Sequence, residues 1–263
     1  MRVMTWNVWW RFGERWRERQ IGIAATLVAL RPDIVGLQES WAAREASQAV
    51  VLAAPLGLHS VFAGPSLPHP IEEPGHDGVD LGLAILSRWP IRHSWTHRLP
   101  SSREQPPVAL IAVVEHPDGP LYVVCTCAEH HAHLADDHLA QTRALARLVT
   151  DLSSLGGTLP VLLVGDLNAG PDTPEITALT DGDTLTDAWT ASGAVGEGVT
   201  LSAALPDAPL GAVKQLNRRI DYVMFRPSTG GPAPAVKSAA VLDEPVEGLY
   251  PSDHFAVVAD LAL

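Results

Sequence analysis

The sequence predicts an α/β fold in one domain spanning residues 1–263, and three observations carry that reading. Short runs rich in Val, Ile and Leu recur along the whole chain, bounded by Gly, Pro, Asn and Asp. Between some of them lie longer segments with apolar residues at three- and four-residue spacing. No stretch has the composition of a linker, and no internal repeat is found. Strands outnumber helices, so the elements must pack in two layers or more.

Strand candidates cover residues 3–10, 34–38, 58–62, 82–86, 108–115, 121–127, 159–164, 220–225 and 255–261. Between two of them, His116-Pro117-Asp118-Gly119-Pro120 reads as a hairpin turn. A helix over 15–30 puts Ile21, Ala25, Val28 and Ala29 roughly on one face and stops at Pro32. Helices over 41–56 and 136–155 follow the same pattern. Thr173-Pro174 opens a short helix, with Thr as N-cap and Pro at the first helical position. The Pro/Gly-rich segments 64–80 and 227–234 read as long surface loops.

Composition removes several classes. Of 263 residues 46% are apolar and 18% charged, which excludes disordered, collagenous and coiled-coil chains. Eighteen basic against 30 acidic side chains leave a net charge of −12. Lysine occurs only at Lys214 and Lys237, and the arginines are scattered except for Arg11, Arg15, Arg17 and Arg19, interleaved with Glu14 and Glu18. A broad basic footprint for nucleic acid is therefore missing. The clustered arginines read first as a solvated helix start, with a small phosphate-binding rim as the alternative. Cys125 and Cys127 lie two apart on one strand, a poor geometry for bridging, and are expected as buried thiols. Two cysteines are too few for a zinc ribbon. Met1–Asn7 passes straight into a strand without a basic and apolar leader, and no apolar run approaches the ~20 residues of a membrane span. The expectation is a cytoplasmic monomer without membrane insertion.

Chemistry concentrates where strands end. Asn7 sits in the first strand between Trp6 and Val8. Val35-Gly36-Leu37-Gln38-Glu39 ends a buried strand on a carboxylate, and Val164-Gly165-Asp166-Leu167-Asn168 ends another. Arg219-Ile220-Asp221-Tyr222 embeds an acid in an apolar strand, and Ser252-Asp253-His254 opens the last one. A buried carboxylate is costly unless paired, hydrogen-bonded or bound to metal. Neighbouring strand ends converge, so one shared cluster would resolve the cost for all of these groups. Carboxylate and amide oxygens with few histidines suit Mg²⁺ or Mn²⁺ better than zinc.

In this order, and with Gly82–Arg88 as a central strand, these motifs resemble the endonuclease/exonuclease/phosphatase superfamily over nearly the whole chain. The resemblance implies a four-layer α/β sandwich of two mixed sheets face to face with helices outside. It implies metal-dependent hydrolysis of a phosphoester substrate by direct water attack, the substrate being nucleic acid, a nucleotide, or a phosphorylated small molecule or lipid headgroup. Glu39 matches the principal Mg²⁺ ligand, with Asn7 and Asp253 at the metal site. Asp166 matches the residue that aligns or deprotonates the water, and Asn168 its neighbour on the phosphate. Asp221 matches the acid paired with the final histidine, and His254 the histidine that stabilises the phosphate charge. One departure stands out: Cys127 occupies a position where the family carries a histidine or a tyrosine. Either a nearby His130 or His131 substitutes, with His130 preferred, or that contact is absent. The departure also supports a rival reading, a catalytically silent binding module.

Other features have plainer readings. Trp9, Trp10 and Trp41 are packing residues, and His130, His131, His133 and His138 are solvated loop histidines. The glycines of 193–198 have no leading strand and so form no dinucleotide fingerprint. Substrate recognition is expected from the loops 64–80, 130–137 and 194–215.

Overall fold

The computed structural model describes residues 1–13, 15–67, 76–203, 205 and 217–263. Glu14, Lys214 and parts of the predicted loops 64–80 and 194–215 lie outside the described residues.

Two six-stranded mixed sheets face each other. The first holds β1 (Arg2–Asn7), β2 (Ile34–Ala42), β3 (His59–Ala63), β4 (Asp80–Ser87), β11 (Ala235–Leu242) and β12 (Ala256–Ala262), in the order β11-β12-β1-β2-β4-β3. The second holds β5 (Ile91–Arg98), β6 (Val108–His116), β7 (Gly119–Cys127), β8 (Val161–Asp166), β9 (Thr186–Asp187) and β10 (Asp221–Arg226), in the order β5-β6-β7-β8-β10-β9. Helices α1 (Trp16–Leu30) and α2 (Gln48–Ala53) cover the outer face of the first sheet through Ile23, Leu27, Ala49 and Leu52. Helices α3 (Ala135–Ser154) and α4 (Pro174–Thr180) cover the second through Leu145, Val149, Leu152, Ile176 and Leu179. A four-residue helix, α5 (Ala188–Ala191), follows β9. The expected four-layer α/β sandwich is the fold.

Between the sheets lies a dry layer that includes Ile34, Leu83, Ile85, Ala112, Val123, Cys125, Leu162, Val164 and Val223. Burying each Val, Leu or Ile here contributes about 1.5–3 kcal/mol. Both cysteines are free and buried in this layer, as their shared strand face predicts. The sheets approach closely at Gly36, where a Cβ would stand 2.3 Å from Val164 Cγ2 and 3.2 Å from Cys125 Sγ.

Strand direction builds one functional end. The parallel pairs β1–β2 and β7–β8 finish there, with Asn7 beside Gln38 and Cys127 beside Asp166. The antiparallel strands β10 and β12 begin there, which brings Asp221 opposite Asp166 and delivers Ser252-Asp253-His254 to the end of β1.

Several predicted boundaries move, each for a physical reason. The first strand stops at Asn7 instead of running to residue 10, because Trp9 (φ 54°) and Trp10 (φ 34°) turn the chain into the left-handed region. The second strand runs on past Gln38 to Ala42, with a register shift against β4 between Leu37 and Ser40. The helix expected over 41–56 accordingly shrinks to α2 and one 3-10 turn. Thr173 does precede α4, but its hydroxyl donates to the Gly170 carbonyl and does not cap the helix. Strands β5, β9 and β11 were not predicted; all three are edge strands, β9 only two residues long, β5 almost wholly exposed and β11 nowhere fully buried, so no buried alternation marks them.

Gly36→Ala is expected to lower unfolding free energy by about 1–3 kcal/mol through overpacking between the sheets. Gly170→Ala, whose Cβ would meet only Thr173 Cγ2 at 3.9 Å, should stay within about 0.5 kcal/mol of the parent. Urea unfolding of the two variants side by side checks this; equal midpoints would refute the close sheet contact.

Candidate active site

Asn7 is the pin of this end. Its Oδ1 accepts the Trp9 N–H at 3.0 Å, which fixes the amide as the chain leaves β1. Its Nδ2 then donates to Glu39 Oε1 at 2.9 Å and to Asp166 Oδ2 at 3.1 Å. Carboxylates from the two sheets thus converge on one amide nitrogen. Asn7 presents N–H to both of them in this arrangement and ties one to the other.

Glu39 owes its aim to the β-bulge. It has φ 52°, an uncommon conformation for a non-glycine residue, and sits where the pairing with β4 slips. On a regular pleat its side chain would follow the alternation of Leu37; the bulge turns it toward Asn7 instead. Asp166 is fixed on its other oxygen, with Oδ1 accepting the Asn168 N–H at 3.0 Å. Asn168 (φ 51°) donates through Nδ2 to the Ala128 carbonyl at 3.0 Å.

His254 and Asp221 are paired as expected. The histidine Nδ1 lies 2.9 Å from Asp221 Oδ2, and Nε2 lies 4.0 Å from Asp166 Oδ2. The Ser252 hydroxyl donates to the Asn7 carbonyl at 2.6 Å and accepts the His254 N–H at 3.2 Å. Trp6 Nε1 donates to the His254 carbonyl at 2.9 Å, so β1 holds the Ser-Asp-His turn on both flanks. Asp253 is buried beside its neighbours, within 3.4 Å of the Ser252 hydroxyl.

The electrostatics follow from crowding. Burial alone lowers the His254 pKa, but Asp221, Asp166, the hydrogen bond to Asp221 and then Asp253 outweigh it, and the imidazolium is favoured. For Asp221 burial dominates and raises the pKa, with His254 opposing and Asp166 adding to the rise. Among the described residues Asp221 Oδ1 is buried with no hydrogen-bond partner. Glu39, Asp166, Asp221 and Asp253 are all 9% exposed or less, against a single imidazolium. So many buried anions fit a site made for a cation, and the oxygen donors fit a hard divalent one. Ligand atoms of Asp166, Asp221 and His254 lie within 4.8 Å of one another.

Cys127 stands 4.0 Å from Asp166 Oδ2 and from Asn168 Nδ2. Burial first, then Asp166, Glu39 and Asp221, push its thiol well above its usual range. A neutral thiol therefore occupies this corner. His130 sits further along, with Nδ1 4.0 Å from Glu129 Oε1 and its ring centroid 4.0 Å from that of His131 at a 40° tilt. Glu129 is itself a fully buried acid that the sequence reading overlooked. Burial would raise its pKa, but the hydrogen bonds from Arg103, from the His131 backbone and ring, and from the His130 N–H hold it well below the usual carboxylate range. Arg103 clamps it with Nε at 2.6 Å and Nη2 at 2.9 Å. This second acid–histidine cluster is satisfied by protein groups. Not every histidine of the run is solvated: His138 Nε2 lies 2.7 Å from the Leu167 carbonyl.

Two further residues escaped the sequence reading. The Thr200 hydroxyl accepts the N–H groups of Ile220 and Asp221, at 3.0 and 3.2 Å, and so sets the start of β10. Arg19 is not part of a solvated helix start; it is buried and donates to the carbonyls of Val8, Trp9, Phe12 and Pro251. Trp10 and Trp41 are packing residues, in one cluster with Val79 and Leu81.

A profile of the Endonuclease/Exonuclease/phosphatase family matches residues 4–254. No curated protein matches the chain by sequence. Among solved structures, truncated TDP2 of Caenorhabditis elegans superposes with a TM-score of 0.78 at 18% identity, covering 100% of this chain and 97% of that one. The human Nocturnin catalytic domain with bound sulfate gives 0.77 at 24% identity, covering 100% and 93%. TDP2 of D. rerio complexed with single-strand DNA product gives 0.77 at 17% identity, covering 100% and 99%. At these identities the likeness is one of fold. Among the described residues no helix is long and apolar enough to cross a membrane.

Asp221→Asn should lower the His254 pKa, readable as a titration midpoint moved to lower pH in ring-proton NMR of the metal-free protein. The folded pKa lies above the unfolded value of about 6.5, so the imidazolium's contribution is complete below that pH and is lost as pH rises through the folded pKa. Urea unfolding in chelator should therefore weaken toward alkaline pH in the parent and weaken less in Asp221→Asn. An unchanged His254 midpoint in that variant would contradict the pairing.

Proposed function

The chain belongs to the endonuclease/exonuclease/phosphatase family, and from that premise we propose that it is a Mg²⁺- or Mn²⁺-dependent phosphoester hydrolase that works by direct attack of an activated water. The single observation that carries the reading is the convergence of Glu39 and Asp166 on Asn7 Nδ2, with His254 beside Asp166 and paired to Asp221. Glu39 and Asp253 would hold the metal, with Asn7 keeping Glu39 and Asp166 in register. When bound, a divalent ion supplies charge neutralisation at the non-bridging phosphate oxygens.

The chain's own groups account for the rest. Asp166 Oδ1 is committed to the Asn168 N–H, so Oδ2 is the oxygen that orients the water and accepts its proton. His254 Nδ1–H donates to Asp221, which leaves Nε2–H to meet the anionic phosphate as charge builds. Asn168, tied to Asp166 through its N–H, brings a second amide beside Cys127 for the phosphate. Four buried acids repel an unneutralised phosphate at the point of cleavage, which supports a metal requirement in the chemical step.

We place residues 1–263 in one domain and take the protein as a cytoplasmic monomer. A nucleic acid, a nucleotide or another phosphorylated molecule fits this chemistry, and the DNA product held by the D. rerio TDP2 structure supports the first. Cys127 favours a second reading, a silent binding module, because a neutral thiol contributes little to phosphate. Against it stands the cost of keeping four buried acids in a pocket with no task.

With bis(p-nitrophenyl) phosphate and Mn²⁺, hydrolysis should vanish in chelator. His254→Ala and Asp166→Asn should each lose at least about 10²–10³ in kcat while retaining the parent's circular dichroism. Glu39→Gln should raise the metal concentration needed for half-maximal rate. A rate indifferent to chelator and to all three substitutions would leave the silent module as the better reading.

A further inference from the structure

Building on the hydrolase reading, we propose that Arg11 and Arg17 form a second anion site beside the metal pocket, one that holds a phosphate of the substrate other than the one cleaved. Arg11 follows Asn7 by four residues, in a loop zipped to β2 by Val8 N–H to the Gln38 carbonyl (2.9 Å) and Trp10 N–H to the carbonyl of Glu39 itself (2.8 Å). Its guanidinium lies 4.1 Å from the ring centroid of Trp41, two residues past Glu39, and 4.6 Å from that of Trp16. Arg17 covers Trp16 at 4.5 Å. Both guanidiniums therefore lie on Trp16, and Arg11 lies on Trp41 as well, close in sequence to Glu39.

What marks this as a binding site is a buried guanidinium nitrogen on Arg11, unpartnered among the described residues and set beside the like charge of Arg17. Arg2, Arg15, Arg88, Arg103 and Arg219 each pair with a carboxylate. Among the described residues Arg11 and Arg17 pair with none, although the chain has 30 acids to draw on. Arg11 Nε is buried and has no hydrogen-bond partner among them. Like charges side by side repel, and an anion between them would relieve both. Stacking on the indoles holds the guanidinium planes and leaves their N–H edges for a phosphate.

The frame is fixed in advance. Buried Arg19 draws the carbonyls of Val8, Trp9 and Phe12 together under the loop. Trp41 Nε1 donates to Gln20 Oε1, which also accepts from Gln48 Nε2. The substrate class this implies carries at least two phosphates in succession, as a single-stranded oligonucleotide does. It also reconciles a net charge of −12 with an anionic substrate, because attraction is confined to one lip.

The test compares kcat/KM for a short single-stranded oligonucleotide with that for bis(p-nitrophenyl) phosphate, which has one phosphate only. Arg11→Met/Arg17→Met should lower the ratio about tenfold, chiefly through the oligonucleotide KM. Arg92→Met, which removes an exposed charge on edge strand β5, should leave the ratio as it is. The Lys/Lys double variant, which keeps charge and loses the planar fork, should fall between, and Arg17→Met alone guards against misfolding. In chelator, anisotropy of the labelled oligonucleotide should show weaker binding and a shallower salt dependence in Arg11→Met/Arg17→Met. An unchanged ratio, or unchanged metal-free binding, overturns the second site. Should the parent cleave neither substrate, the hydrolase reading falls while the metal-free binding still decides on Arg11 and Arg17.

Discussion

Repulsion among Glu39, Asp166, Asp221 and Asp253 is the constraint to which the rest of this end of the molecule answers. Each is almost fully removed from water, and one imidazolium faces them. Buried carboxylates at this density persist only if hydrogen bonds and cations offset their mutual repulsion. The fold meets part of the demand with fixed donors: Asn7 between Glu39 and Asp166, the Asn168 N–H on Asp166, and His254 on Asp221. The remainder is what the proposed divalent ion would meet. Function and stability are thereby linked through the same groups, and the local structure is costly by design.

The sandwich makes that concentration of charge possible. Parallel strands finishing and antiparallel strands beginning at one end bring residues 7, 39, 166, 221 and 254 together from across the chain. Rigidity comes from the apolar layer behind them, where Gly36 lets the sheets approach until Val164 and Cys125 fill the gap. Anchors that carry no chemistry then hold the turns: Ser252 ties the last motif to β1, Thr200 ties the start of β10, and Arg19 gathers the loop after Asn7.

The sequence was legible where polarity broke an apolar pattern. Asp166, Asp221 and His254 stood out because acids and amides in or beside Val- and Leu-rich strands demand an explanation, and their order along the chain matched a known family. Backbone conformation was hidden. Nothing in Leu37-Gln38-Glu39-Ser40 announces that Glu39 takes a positive φ at a bulge, nor does Val8-Trp9-Trp10 announce a turn. Burial of charge was hidden as well: Arg19 and Glu129 look like surface residues, since their partners are carbonyls and an arginine distant in sequence. Edge strands β5 and β11 were missed because exposure on an edge erases the alternation from which strands are read. Cys127 was recognised as a departure from the family, and its place against Asp166 makes that corner less polar than a histidine would.

A divalent ion on Glu39, beside Asp166 and His254, is the central proposal. Diffraction from crystals soaked in Mn²⁺, with anomalous differences recorded, tests it most directly. The expected result is an anomalous peak in direct contact with the Glu39 carboxylate, next to Asp166. A peak found only at Glu129, His130 and His131, or none near Glu39 at saturating Mn²⁺, would contradict it.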